Sequence, residues 1–388
     1  MTETRAAPPH AIPPHAIPAR PPRDTRLDIV RGYLQLVIFA SHAAGSFIGA
    51  WMIHAAWGFS DSSEQFVLLS GFTLGSVFAL KSARQGPGAA WRDMWGRAAR
   101  LYRTHLLVMA LFFAMLVLTC HYVPALPMEA ERLGWGYFIH APLAALPGLF
   151  AMLYQPAFMG ILPVFIWCMF TLPVFAWAER RWADGALAAS FALYLAGAYL
   201  GLAPPSLEPG GHIAFNPFAW QVLFLGGAWL GRRALYLGAA LPRLAWLTWA
   251  AALYVAAALY LRLAWYGWLD LPVPFAETYW ITGKDNLVLP RLLHALALAW
   301  LVAALIPRTA AWMEGAVPRF LAPIGRHSLQ VFCLGLFLSW ACTAVFRALP
   351  GQVWLDPILI GSGCLALGLY ARALDRRREA TRAVPVPA

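Results

Sequence analysis

Hydrophobic runs of about 20 residues recur along almost the whole chain, each long enough to cross a ~30 Å hydrocarbon core as a helix. Ten are predicted, over residues 28–50, 65–83, 102–122, 157–178, 185–203, 215–235, 243–264, 287–306, 328–347 and 354–373. Only 12% of the 388 residues are charged, where a soluble domain has about a quarter, so the runs belong in a membrane. The expected architecture is one all-α, polytopic integral membrane bundle over residues 27–374, with a proline-rich tail at 1–26 and a basic tail at 375–388. The first tail repeats PPHAI and cannot bury apolar surface, so it reads as disordered. YLQLVIFA followed by SHAAG has the outline of a signal peptide, but the full run to residue 50 is long enough to span.

A net charge of +11 raises the question of a nucleic-acid partner, and its distribution points elsewhere. With the N-terminus cytoplasmic, 24 of the 29 Lys and Arg residues fall on the inner side, and Arg132, Arg262, Lys284, Arg291 and Arg347 fall outside. The acidic residues divide equally between the sides. Asymmetry in basic but not acidic residues follows the positive-inside rule, and it predicts both termini in the cytoplasm. No phosphate-cradling glycine loop and no basic-aromatic nucleic-acid motif is present. Cys120, Cys168, Cys333, Cys342 and Cys364 lack metal-ligand spacing and read as small apolar filler, with neither a metal site nor a disulfide framework expected. Residues 137–156 are apolar but broken by Pro142 and Pro147. They read as interfacial or re-entrant, since a span there would turn the later basic loops outward. Trp51, Trp57, Trp265 and Trp268 read as interfacial anchors.

The first run carries Asp28, Arg31, Gln35 and His42. Arg31 and His42 are eleven residues apart, nearly a whole number of turns, so they share one stripe of a helix about 16 Å apart along its axis. Gln35 and Ser46 lie close to that stripe, and Asp28 sits one turn before Arg31, close enough to pair with it. Ionisable residues within a span mark a functional site by default, because burying them is costly. The alternative makes Asp28 and Arg31 an interfacial topology pair and gives His42 a bond to a neighbouring helix. A neutral imidazole also suits general-base chemistry near neutral pH.

Three further clusters stand out. In RAARLYRTH, Arg97, Arg100 and Arg103 recur every third residue along one side of a helix at the inner mouth. Guanidinium forks suit phosphates, although inner loops of membrane proteins are basic in general. GFSDSSEQF places Asp61, Ser62, Ser63 and Glu64 just outside the second run, where they either hydrogen-bond sugar hydroxyls or cap the helix as DSSE. Ser70, in LLSGFTLG, reads as a helix-packing residue. KDNLVLPRLLH holds Lys284, Arg291 and His294, which serve either as headgroup anchors or as an inward cluster for an anionic group. His327 reads as a capping or packing contact.

Arginine, ten residues and histidine in a first membrane helix resemble the signature of the membrane-bound acyltransferase-3 superfamily. RLDIVRGYLQLVIFASH, GFSDSSEQFVLLSG, FNPFAWQVLFLGGAW, LPRLLHALALAW and GRHSLQVFCLG, in order, resemble the OpgC family, which succinylates osmoregulated periplasmic glucans. The resemblance runs from about Arg23 to the final helix. It implies His42 as the catalytic base with Arg31 as its motif partner and Asp28 beside it, and a donor site at the Arg-x-x-Arg pair Arg100 and Arg103, joined by Arg97. Asp61, Glu64, Lys284, Arg291 and His294 would bind the acceptor or the acyl group, whose distal carboxylate, if succinyl, needs a cation. The resemblance further implies no bound cofactor, with acyl-CoA, succinyl-CoA in particular, as the co-substrate. The partners are acyl-CoA, a periplasmic glucan or other polysaccharide, and the lipid bilayer, with no nucleic acid, in the bacterial inner membrane. An O-acetyltransferase of another surface polysaccharide is the nearest alternative. A secondary transporter is one of another class, which the lack of a repeat between the first and last five runs disfavours.

Overall fold

The computed structural model describes residues 23–383 apart from 127, 269–271 and 274, so most of the proline-rich tail expected over 1–26 lies outside the described residues. The regular structure among the described residues is helical throughout. The bundle is built from α1 (Thr25–His42), α2 (Ser62–Gln85), α3 (Pro87–Tyr122), α4 (Ile161–Trp182), α5 (Asp184–Tyr199), α6 (Pro217–Leu237), α7 (Ala245–Trp265), α8 (Leu289–Leu305), α9 (Ala316–Arg326), α10 (Ser328–Ala348) and α11 (Leu355–Ala383).

Among the described residues six helices, α2, α3, α4, α7, α10 and α11, are long and apolar enough to cross a membrane. The other four predicted runs coincide with α1, α5, α6 and α8. Of these, α5 and α8 have only 16 and 17 residues, and α1 opens with Arg26, Asp28 and Arg31. The chain is therefore a helical membrane bundle, while length and apolarity carry six spans rather than the expected ten. The proline-interrupted segment forms the helix Pro142–Ala151, whose ten residues reach about 15 Å, half of a hydrocarbon core.

Close helix packing is set by small residues, as membrane bundles require. A Cβ on Gly71 would overlap the Phe224 carbonyl, and one on Gly231 the Phe72 carbonyl, so α2 and α6 touch backbone to backbone. Gly32 and Gly325 do the same for α1 against α9. The start of α1 and the later part of α11 lie at one face of the bundle. There Asp375 accepts from His327 Nε2 at 2.9 Å and pairs with Arg326, and its charge reaches Arg23. The basic segment expected as a separate tail from residue 375 continues α11 to Ala383.

At the opposite face two segments far apart in sequence fasten to each other. Asp61 and Glu64 form the capping box that DSSE implied, with the Asp61 N–H donating to Glu64 Oε2 at 2.9 Å. Arg291 at the start of α8 pairs with Glu64 through Nε at 2.7 Å and through Nη2, and its Nη1 donates to the Thr282 carbonyl at 3.0 Å. Both side chains are buried, at 4% and 0% exposure. Ser60 Oγ lies 2.8 Å from His294 Nδ1, and Lys284 Nζ donates to Asp61 at 2.8 Å. Removing one member of a buried pair strands the other charge, so Glu64→Gln should cost about 3 kcal/mol or more of stability. Thermal unfolding in detergent should show a large drop for Glu64→Gln and substantial recovery when Arg291→Met is added. An unchanged midpoint in the single variant would contradict the pairing.

Candidate functional site

The residues of interest meet in a cavity of about 520 Å³ lined by side chains from α1, α2, α3, α4 and α10 and by the segments before α4, α6 and α8. Arg31 and His42 line it, as do Arg97 and Arg100 of α3, and Asp61 and Lys284 from the interlocked segments. The arginine end lies toward the end of α2: Arg97 bonds Asp93 at 2.8 Å, and Asp93 holds Lys81 at 2.9 Å. Asp61 and Lys284 mark the other end.

His42 is the last residue of α1. Its Nδ1 lies 2.6 Å from the Ile38 carbonyl, which can only accept, so Nδ1 carries the proton and Nε2 keeps its lone pair. The ring packs edge-on against Phe158, another cavity residue, with centroids 5.0 Å apart. The helix stops here because its freed backbone groups find partners elsewhere. Gly45 turns with φ +98°, and the Ala44 N–H donates to Thr343 Oγ1 at 2.9 Å. Asp356, buried at the start of α11, accepts from Ser46 Oγ at 2.7 Å and from the Ile48 N–H at 2.8 Å. Ser46 in turn caps the short helix Phe47–Met52. The expectation of one unbroken run over 28–50, with Ser46 on the His42 stripe, is thereby corrected. A histidine at a helix C-terminus sits where the helix dipole favours positive charge, which suits an imidazolium formed when Nε2 takes a proton.

Arg31 donates from Nη2 to Ser70 Oγ at 3.2 Å, and its Nε has no partner among the described residues. Asp28 does not pair with it. It accepts from Arg23 Nε at 2.6 Å and Nη2 at 2.9 Å, because the chain before α1 folds back within reach, and it lies outside the cavity lining. Ser70 is more than the packing residue expected, since it lines the cavity and receives the Arg31 bond. Gln35 is buried outside the lining.

The two end clusters divide in the same way. Arg97 and Arg100 line the cavity, whereas Arg103 is outside the lining, so the expected donor pair Arg100 and Arg103 is replaced in space by Arg97 and Arg100. At the other end Asp61 and Lys284 face the cavity, while Glu64, Arg291 and His294 are taken up by one another's segments behind the wall. Burial alone would raise the Asp61 carboxyl, and Lys284, with the Ser62 N–H, holds it below its ordinary value. Sequence reasoning missed Gln155 and Phe158, which line the cavity from the segment before α4, and Asp356, which seals the helix end. An ionisable residue at the mouth of the last run was the available signal for Asp356.

The arrangement offers an imidazole in the lining of a single cavity that has a cationic cluster, Arg97 and Arg100, and a mixed-charge pair, Asp61 and Lys284. It can take a proton from a hydroxyl brought to Nε2 while a phosphorylated group is held by arginines. No curated protein and no solved structure is similar enough to match this chain. A family profile described as "OpgC protein" matches residues 23–379, nearly the whole chain. The chain therefore belongs to the OpgC family.

Proposed function

We propose that the protein is an O-acyltransferase that takes a succinyl group from cytoplasmic acyl-CoA and places it on a hydroxyl of a periplasmic glucan. Membership of the OpgC family supports a glucan succinyltransferase-like activity. The observation that carries the reading is the single cavity running from Arg97 and Arg100 past His42 to Asp61 and Lys284. The inner-membrane location, with both termini cytoplasmic, rests on the 24 of 29 basic residues that this orientation puts inside.

In this reading Arg97 and Arg100, with Arg31, hold the donor phosphates, and the thioester arm extends toward His42. The acceptor hydroxyl enters from the Asp61 end. His42 Nε2 removes its proton as the oxygen attacks the acyl carbonyl; the C–S bond breaks, the C–O bond forms, and the proton passes to the departing thiolate. The distal acyl carboxylate, projecting beyond the thioester, meets Lys284. Arg291, the other candidate for that task, is saturated by Glu64 and the Thr282 carbonyl outside the cavity.

Mass spectrometry of periplasmic glucans from cells with and without the gene tests the assignment. A succinyl increment should appear only with the gene, and His42→Ala should abolish it while the protein remains folded and inserted. Unmodified glucans in both strains, or full modification by His42→Ala, would end the reading.

The choice of acyl group follows from Lys284. At an effective dielectric of ~20 a cation about 4 Å from a carboxylate gains roughly 4 kcal/mol before desolvation, and competition with Asp61 reduces that further. Lys284→Gln should depress succinyl transfer relative to acetyl transfer by about tenfold, which corresponds to ~1.4 kcal/mol. Competing the two acyl-CoAs on the same membranes measures the ratio. An unchanged ratio with lower total activity would remove Lys284 from acyl selection.

A further inference from the structure

The segment from Met152 to Gly160, which links the short helix Pro142–Ala151 to α4, has an unusual backbone. Met152 has φ +61° and Phe158 φ +71°, left-handed conformations that bulky side chains seldom adopt and that persist where the surroundings enforce them, often at ligand clamps. The surroundings here do so. The Ala157 N–H donates to the Leu133 carbonyl at 2.9 Å, the Leu207 N–H to the Leu153 carbonyl at 2.8 Å, and the Tyr154 hydroxyl to the Gly134 carbonyl.

Within this fixed segment Gln155 donates from Nε2 to the Met152 carbonyl at 2.9 Å. That bond settles which way the amide faces, because the Met152 carbonyl only accepts and must therefore meet the Nε2 donor rather than Oε1. Oε1 is left buried and without a partner among the described residues, on a side chain that lines the cavity. Gly160 makes room for it, since a Cβ there would come 3.1 Å from Oε1 and 3.0 Å from the Phe215 ring. Lys284 Nζ lies 5.5 Å above that same ring and bonds Asp61, and the next residue, Ser62, has a buried hydroxyl that also lacks a partner and also lines the cavity. Phe158 closes the set against His42.

We infer that Gln155 and Ser62, framed by Phe215 and Phe158, form the subsite that takes the hydroxyls of the acceptor sugar ring. This deepens the proposed function and rests on it. A carbonyl oxygen that only accepts, a hydroxyl that donates or accepts, a carboxylate and two aromatic rings match the donors and apolar faces of a pyranose. They do not match the phosphates of the donor, which need the cations at the other end. Buried polar groups left unpaired are costly, and a cavity whose lining residues carry two of them is shaped for a partner that satisfies both.

The test is equilibrium binding of a soluble glucan oligosaccharide to purified protein by calorimetry, with thermal midpoints measured alongside. Gln155→Leu should weaken binding by about tenfold, as expected for one unmade hydrogen bond, with acyl-CoA binding unchanged. Ser62→Ala should act in the same direction; its hydroxyl makes no bond within the protein, so this variant stays folded and carries the test if Gln155→Leu does not. Equal glucan affinity in wild type and in the folded variants would overturn the subsite and leave the proposed function standing. No glucan binding by wild type would remove the acceptor reading and the subsite together.

Discussion

The buried ion pair of Glu64 with Arg291 organises the end of the bundle on which the site depends. Moving two charges out of water is expensive, and a lone pair of opposite charges seldom recovers that cost. Here both carboxylate oxygens and all three guanidinium nitrogens find partners. Glu64 accepts from Arg291, from the Asp61 N–H and from Ser63 Oγ, while Arg291 also satisfies the Thr282 carbonyl. The pair therefore ties the start of α2 to the start of α8 with no net charge left over. Of Asp61, Glu64, Lys284, Arg291 and His294 on these two segments, only Asp61 and Lys284 then line the cavity. What looks in sequence like a broad polar mouth is, in space, a neutral clamp behind one pair of charges that line the cavity.

The second constraint is the end of α1. A helix that ran on to residue 50 would carry His42 in its middle. Stopping at His42 exposes backbone groups that α10 and α11 must satisfy, and Ser339, Thr343 and Asp356 do so, Ser339 by donating to the Phe39 carbonyl at 2.8 Å. The result is an imidazole that lines the cavity, anchored through Nδ1 by its own helix, with no carboxylate needed to orient it. Phe158, held in a strained backbone conformation, backs the same ring. Rigid support on several sides is what a base needs in order to meet a hydroxyl in one geometry.

Periodicity made the helical membrane bundle legible, and the eleven-residue interval between Arg31 and His42 put both on the cavity side of α1. The capping function of Asp61 and Glu64 was also readable, because the DSSE pattern is local. What failed was non-local. Nothing near Glu64 announces that its partner is Arg291, 227 residues away, and nothing near His42 announces that Thr343 and Asp356 end its helix. Asp28 was given to Arg31 by spacing alone, although Arg23, in a stretch assigned to the disordered tail, lies closer in space. Gln155 does not stand out within the interfacial or re-entrant segment 137–156, because a single amide beside a proline and a tyrosine carries no periodicity. Its meaning comes from an unpaired oxygen, which only a packed structure can reveal.

The central claim is that one cavity brings a donor from one side of the membrane to an acceptor on the other, with His42 between them. Proteoliposomes of a single orientation, with glucan sealed on the Asp61 side and succinyl-CoA supplied on the Arg97 side, test this directly by following thiol release and glucan succinylation together. The account predicts free thiol on the donor side and succinylated glucan on the other, with neither product when the substrates exchange sides. Succinylation only when both substrates share one compartment would contradict it.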